Sequence, residues 1–311
     1  MPSELKKYLD PRVLTKIRNL DLQARLVVEG FISGIHRSPF YGFSVEFAQH
    51  REYAPGDDLR HLDWKVLGRT DRLYIKQYEV ETNLRCLFLV DVSESMRYEA
   101  AADSDGQRPS KFRHAGCLAC CLGLLLLNQQ DAVGLATFDD QLRAYVPISS
   151  HPNQIKSFAH ELDTAGLEAK TDLAAIVRSL GEKLPRRAMV CLISDLLVPP
   201  ESLREALEFL RHHGHEVMVL HVMDRDELEL PFQGHVQFRG MEGLGELLVE
   251  PRALRGEYLA ALREFLAQTQ RICTHARADY RLISTADYLD GALTAFLAAR
   301  AAAVRKRGAK R

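Results

Sequence analysis

The sequence predicts an α/β protein whose main domain is a doubly wound, mostly parallel sheet, and three observations predict it. Short runs such as RCLFLVDV, DAVGLATF, RAMVCLIS and HEVMVLHVMD are apolar at nearly every position, as strands are when both faces are covered. Stretches of helical length and pattern separate them, the alternation that builds a parallel sheet between helices. At 311 residues the chain is also long enough to bury a large core.

Residues 1–83 differ in pattern from the rest. A helix is predicted near 11–30, followed by the Gly/Pro/aromatic-rich stretch SPFYGFSVEFAQHREYAPGDD. Pro55-Gly56 suits the central positions of a type II turn, with Gly supplying the positive φ. Asp57 or Asp58 can then cap a short helix, LRHLDWKVLG, and RLYIKQYEVE reads as a strand. A small mixed, β-containing subdomain is expected here.

From 84 to 303, RCLFLVDV, DAVGLATF, LRAYVPI, RAMVCLIS, HEVMVLHVMD and YRLIS are expected as strands. Helices are expected over 110–130, 152–163, 172–184, 200–213, 255–276 and 286–303, with a hairpin inserted near 233–250. Residues 304–311 form a basic tail, the end of a 21-residue stretch with six Arg or Lys and no acid. It reads as a solvated, frayed helix end.

Composition narrows the function. Hydrophobic residues are 46%, charged residues 27%, and the formal net charge is −1, without the basic excess of a chain built to hold nucleic acid. The longest apolar run, CLACCLGLLLL, is roughly half the length of a membrane span. The stretch MPSELKKYLDPR lacks a signal-peptide core. A cytoplasmic protein without a transmembrane segment is expected. The six cysteines, at 86, 117, 120, 121, 191 and 273, read as core residues; Cys117-x-x-Cys120 has no second pair at zinc-site spacing.

LFLVDVSESM raises the functional question, because an apolar strand ends in Asp91, Ser93 and Ser95. Alternate residues of extended backbone point the same way, so three oxygens can aim at one point. Thr171, in EAKTDL, and Asp195, closing RAMVCLIS, stand at corresponding ends, and sites in open α/β sheets gather at the carboxyl ends of strands. Each residue alone could be a helix cap or a strand end. Their joint placement favours a site of hard oxygen donors, which suits Mg²⁺ or Mn²⁺.

The spacing DxSxS, the later Thr171 and the strand-ending Asp195 resemble the metal-ion-dependent adhesion site of von Willebrand factor A domains. The strand–helix order over 84–303 is similar too, a Rossmann-like arrangement. EFAQHREYAPGDDLRHLDWKVLGRTDRLYIKQYEVE, at 46–81, resembles the signature of a bacterial family known as domain of unknown function fifty-eight. The resemblance implies Asp91, Ser93, Ser95, Thr171 and Asp195 as metal ligands. It also implies a protein-binding, chaperone-like role beside a MoxR-type AAA+ ATPase in protein-complex assembly or maturation. A partner or client would complete the metal shell with an Asp or Glu. Two departures stand out: Ala169-Lys170-Thr171 replaces Gly-Gly-Thr, and Leu196 replaces the Gly that usually follows the last Asp. Lys170 would place an ammonium near the site.

The rival function is a Mg²⁺-dependent phosphohydrolase or nuclease using Asp91, but DVSES lacks the second Asp of aspartyl-phosphate phosphatases and no phosphate-cradling loop appears. His212-His213-Gly214-His215 reads as a helix cap rather than a transition-metal site. The polar, aromatic stretch holding Asp58 and Trp64 reads as a turn network, or as a docking surface anchored by Trp64.

Overall fold

The computed structural model describes residues 19–35, 50–52, 68, 73–76, 84–100, 108–167, 172–181, 183–240, 245–294 and 296–298. In chain order the elements begin with α1 (Leu20–Ile35), β1 (His50–Glu52), β2 (Tyr74–Lys76) and β3 (Arg85–Asp91). A 3-10 turn (Glu94–Arg97) follows, then α2 (Lys111–Asn128), β4 (Ala132–Phe138), β5 (Leu142–Ser149), α3 (Gln154–Thr164) and α4 (Leu173–Leu180). Next come β6 (Met189–Ser194), α5 (Pro200–His212), β7 (Glu216–Met223) and α6 (Arg225–Glu229). The last are β8 (Val236–Arg239), β9 (Glu246–Val249), α7 (Pro251–His275) and β10 (Asp279–Ser284).

The six apolar runs pair into one sheet of order β10-β7-β6-β3-β4-β5. All neighbours are parallel except β5, which runs antiparallel to β4 at the edge. The apolarity of the four inner strands, β3, β4, β6 and β7, has its reason in the two cores. Cys86, Phe88 and Val90 of β3 face one core with α1, α2 and α3. Leu87 and Leu89 face the other, with α4, α5 and the end of α7. The sheet is therefore doubly wound. The expected hairpin is β8–β9, with Val236 opposite Val249.

Gly134 shows how closely the edge strand is laid on. A Cβ there would stand 2.9 Å from the Val146 carbonyl oxygen and 3.0 Å from the Ile148 amide nitrogen, and the ladder shifts register at this point. Gly134→Ala is expected to cost about 1–3 kcal/mol by overpacking. Urea unfolding reads the loss; an unchanged midpoint would contradict the close approach.

The chain divides into two compact units, Ser38–Asn83 and the remainder, Met1–Arg37 with Leu84–Arg311. This differs from the division expected at 83, because α1 belongs with the sheet. Its buried residues Leu20, Ala24, Val27, Val28 and Phe31 repeat with helical spacing, and they join the core around α2. The physical reason lies in α2, which is buried on nearly every side. A helix apolar all round needs cover opposite the sheet as well as on it, and α1 with α3 supplies that cover. Within the Ser38–Asn83 unit, β1 and β2 form an antiparallel pair, His50 opposite Lys76.

Candidate metal centre at the switch point of the sheet

β3 is the point where strand order reverses. The chain leaves it for β4 on one side and later places β6 on the other, and ligand sites of open α/β sheets lie in the crevice at such a switch. Parallel pairing of Val90 with Ile193 brings the ends of β3 and β6 out side by side. Asp91 emerges from the first, Ser194 and Asp195 from the second.

The Asp91 carboxylate is tied down on both oxygens. Oδ1 accepts the Ser93 amide at 2.8 Å and Oδ2 accepts the Ser194 hydroxyl at 2.6 Å. Burial pushes its pKa up to about 6, the charge of Asp195 adds to the shift, and hydrogen bonds from Ser194 and Ser93 offset part of it. Ser93 begins the 3-10 turn without capping it through its side chain. Its hydroxyl instead meets that of Ser95 at 3.0 Å. Asp172, by contrast, is a cap, accepting the Ala175 amide at 3.2 Å.

Asp195 is held by a residue the sequence reading passed over. Lys111, the first residue of α2, is 1% exposed. Its Nζ stands 2.7 Å from Asp195 Oδ2 and 2.7 Å from Glu227 Oε1. Burial pulls this ammonium down, but the two carboxylates outweigh burial and hold its pKa above the ordinary lysine value. The group is charged at neutral pH. Glu227 is itself fixed, because Oε2 accepts the Asp224 amide at 2.8 Å in the capping box of α6. Beside it, Arg108 pairs with Asp226 at 2.7 Å, and Thr285 donates to Asp224. His221, across from Ser194 in register, lies against the Asp195 backbone; burial pushes it down to about 4, with the Asp195 charge opposing.

Leu196 explains one departure from the adhesion-site pattern. Its φ is 53°, left-handed backbone that suits Gly, so the residue type differs while the turn is the one Gly would make. Its buried side chain joins the second core, which helps hold the strained turn. Leu197, next along, is 52% exposed.

Do these groups suit a hard divalent ion? Oxygens on adjacent corners of a Mg²⁺ octahedron lie about 3 Å apart, the Ser93–Ser95 hydroxyl separation. Asp195 and Glu227 share one ammonium, and the charge of Asp195 also acts on the buried Asp91, so the site carries an excess of negative charge. Asp91, Ser93 and Ser95 fit as direct ligands, whereas Asp195 already has the Lys111 ammonium on one oxygen. Among the described residues no group of three or more His, Cys, Asp or Glu could hold a metal, so an ion here would depend on the hydroxyls. Thr171, Lys170, Trp64 and Asp58 lie outside the described residues.

The remaining features take structural roles. Gly214 caps its helix with φ 79°, His213 Nδ1 meets the Phe209 carbonyl at 2.8 Å, and His215 Nδ1 accepts the Ala188 amide at 3.2 Å. All six cysteines are buried thiols. Among the described residues no helix is long and apolar enough to cross a membrane.

Three comparisons place the chain among known proteins. An uncharacterized protein of Mycobacterium tuberculosis (strain H37Rv) is 27% identical over 281 residues, covering 88% of this chain and 86% of the relative. A protein of Mycobacterium bovis matches to the same extent. Among solved structures, BatB from Bacteroides thetaiotaomicron is 17% identical with a TM-score of 0.47, covering 68% of this chain and 95% of that one. An aerotolerance-related membrane protein from Bacteroides fragilis is 18% identical with a TM-score of 0.47, covering 68% and 96%. The SpRpn10 VWA domain is 13% identical with a TM-score of 0.40, covering 68% and 94%. A family model matches residues 49–268, which take in part of each compact unit, and the chain belongs to the family it describes, Protein of unknown function DUF58.

Proposed function

We propose that this protein is a cation-dependent protein-binding module, and that it uses Asp91, Ser93 and Ser95 to present a Mg²⁺ or Mn²⁺ ion to an acidic side chain of another protein. The observation that carries this reading is the pair of hydroxyls 3.0 Å apart beside a buried carboxylate, at the switch point of the sheet. A bound divalent ion would supply an electron-poor position that favours a carboxylate. The chain's own residues prepare for it: Ser194 and the Ser93 amide orient Asp91, and the left-handed turn at Leu196 sets Asp195 behind. Thr171 joins the ligand set in this proposal and Lys170 the partner contacts beside it, while Trp64 and Asp58 serve as partner contacts of the Ser38–Asn83 unit.

The partner class follows from the resemblance stated above: a MoxR-type AAA+ ATPase, or a client protein that displays an Asp or Glu. A cytoplasmic location accompanies that partner. The hydrolytic alternative gains nothing from the geometry, because Asp195 and Glu227, acids near Asp91 that could act as a general base, are both paired with Lys111.

The test is a calorimetric titration of the chain with the MoxR-type ATPase of its host, in Mg²⁺ and in chelator. Binding is expected in Mg²⁺ and is expected to weaken at least ten-fold in chelator or in Asp91→Ala. Equal affinity of wild type and Asp91→Ala would remove the ion from the interface.

A further inference from the structure

We propose that Lys111 is a positioning residue that makes the divalent ion and the acidic partner depend on one another; the inference rests on the ion-centred reading above and specifies it. Its place in the fold is the first observation. A helix N-terminus favours acids and disfavours cations, yet α2 starts on a lysine that is completely enclosed. Burying an ammonium is costly without close anions, and two stand at 2.7 Å.

What the ammonium does to Asp195 is the second. Asp195 gives Oδ2 to Lys111, while Oδ1 accepts the Leu197 amide at 3.3 Å. Glu227 is tied to the same ammonium through Oε1 and to the Asp224 amide through Oε2, which fixes it in the capping box of α6. Tyr258 further anchors that segment by donating to the Glu227 carbonyl at 2.6 Å. An ion on Asp91, Ser93 and Ser95 therefore meets an Asp195 whose charge the ammonium already offsets. It stays under-neutralised and weakly held until an anion arrives from another molecule. Without the ammonium, Asp195 would turn its charge to the ion, which would bind tightly alone and gain less from a visiting carboxylate.

Manganese titrations of the full chain test this, with acetate as the carboxylate probe. Lys111→Met is expected to bind Mn²⁺ at least ten-fold more tightly than wild type, with a smaller gain on adding acetate. Lys111→Arg is expected to stay near wild type, because it keeps the charge. Glu227→Gln is expected to weaken Mn²⁺ binding several-fold, since the whole ammonium charge then falls on Asp195. A variant that merely loosened the fold would lose affinity, so the sign for Lys111→Met separates the two roles. Lys111→Met that is folded by circular dichroism but binds Mn²⁺ no more tightly overturns the proposal. If that variant does not fold, unchanged affinity in Glu227→Gln overturns it instead. Wild type that binds no Mn²⁺ at all, like Asp91→Ala, removes the ion-centred reading itself.

Discussion

Acidification from pH 7 to pH 4.5 is expected to weaken the fold through buried histidine, and His114→Leu is expected to lose roughly 2–3 kcal/mol less than wild type over that interval. His114 lies wholly buried on α2, and burial pushes it down to about 4 from the ordinary 6.5. Between those values the unfolded chain takes up a proton that the folded one refuses, so stability is present above pH 6.5 and drains away as the pH falls toward 4. Nε2 has no hydrogen-bond partner among the described residues. A leucine therefore leaves no donor stranded. His221, also pushed down to about 4 by burial, adds a second loss of the same sign. Urea melts of wild type and His114→Leu at pH 7 and 4.5 measure the difference. Parallel losses would show that His114 is not held neutral by its surroundings.

Asp91 works in the opposite direction and predicts a gain. Its folded pKa, about 6, stands above the ordinary 3.8. Here the folded chain takes the proton first, so this contribution is fully present below pH 3.8 and is lost as the pH rises through 6. At neutral pH an ionised, buried Asp91 strains the fold. Asp91→Asn is expected to stabilise the protein by about 1–3 kcal/mol at pH 7.5 in chelator, the lower figure allowing for a poorer bond to Ser194. The advantage should vanish near pH 4, where wild type is protonated. Adding Mg²⁺ should raise the melting temperature of wild type and leave that of Asp91→Asn unchanged. Thermal melts at the two pH values, with and without Mg²⁺, read all three effects. A variant that melts with wild type throughout would mean that the carboxylate is not stressed by its position.

What the sequence made legible and what it hid follow one physical line. The six strands and the β8–β9 hairpin were readable because apolar runs and turn residues act locally. The ends of β3 and β6 were readable because DxSxS and the strand-ending Asp195 are oxygen donors where apolar residues would be expected. Lys111 was not, since a lysine at a helix start looks like solvated surface; only the distant Asp195 and Glu227 make it interior. A hint was present in DRDE at the end of β7, a fourth strand end rich in acid and arranged as a capping box. Leu196 gave no sign of its left-handed backbone, because leucine is not the residue that such a turn selects. α1 was seen as a helix, but its cover for α2 depends on residues more than eighty positions away.

That helix has a consequence for how the protein comes into being. α1 emerges from the ribosome well before α2, the helix it shelters, and the Ser38–Asn83 segment is synthesised in between. Until α2 arrives, Val27, Val28 and Phe31 lack the core they join in the finished fold. A shortened protein starting at residue 84 would leave the opposite side bare and is expected to aggregate rather than stand as an independent fragment.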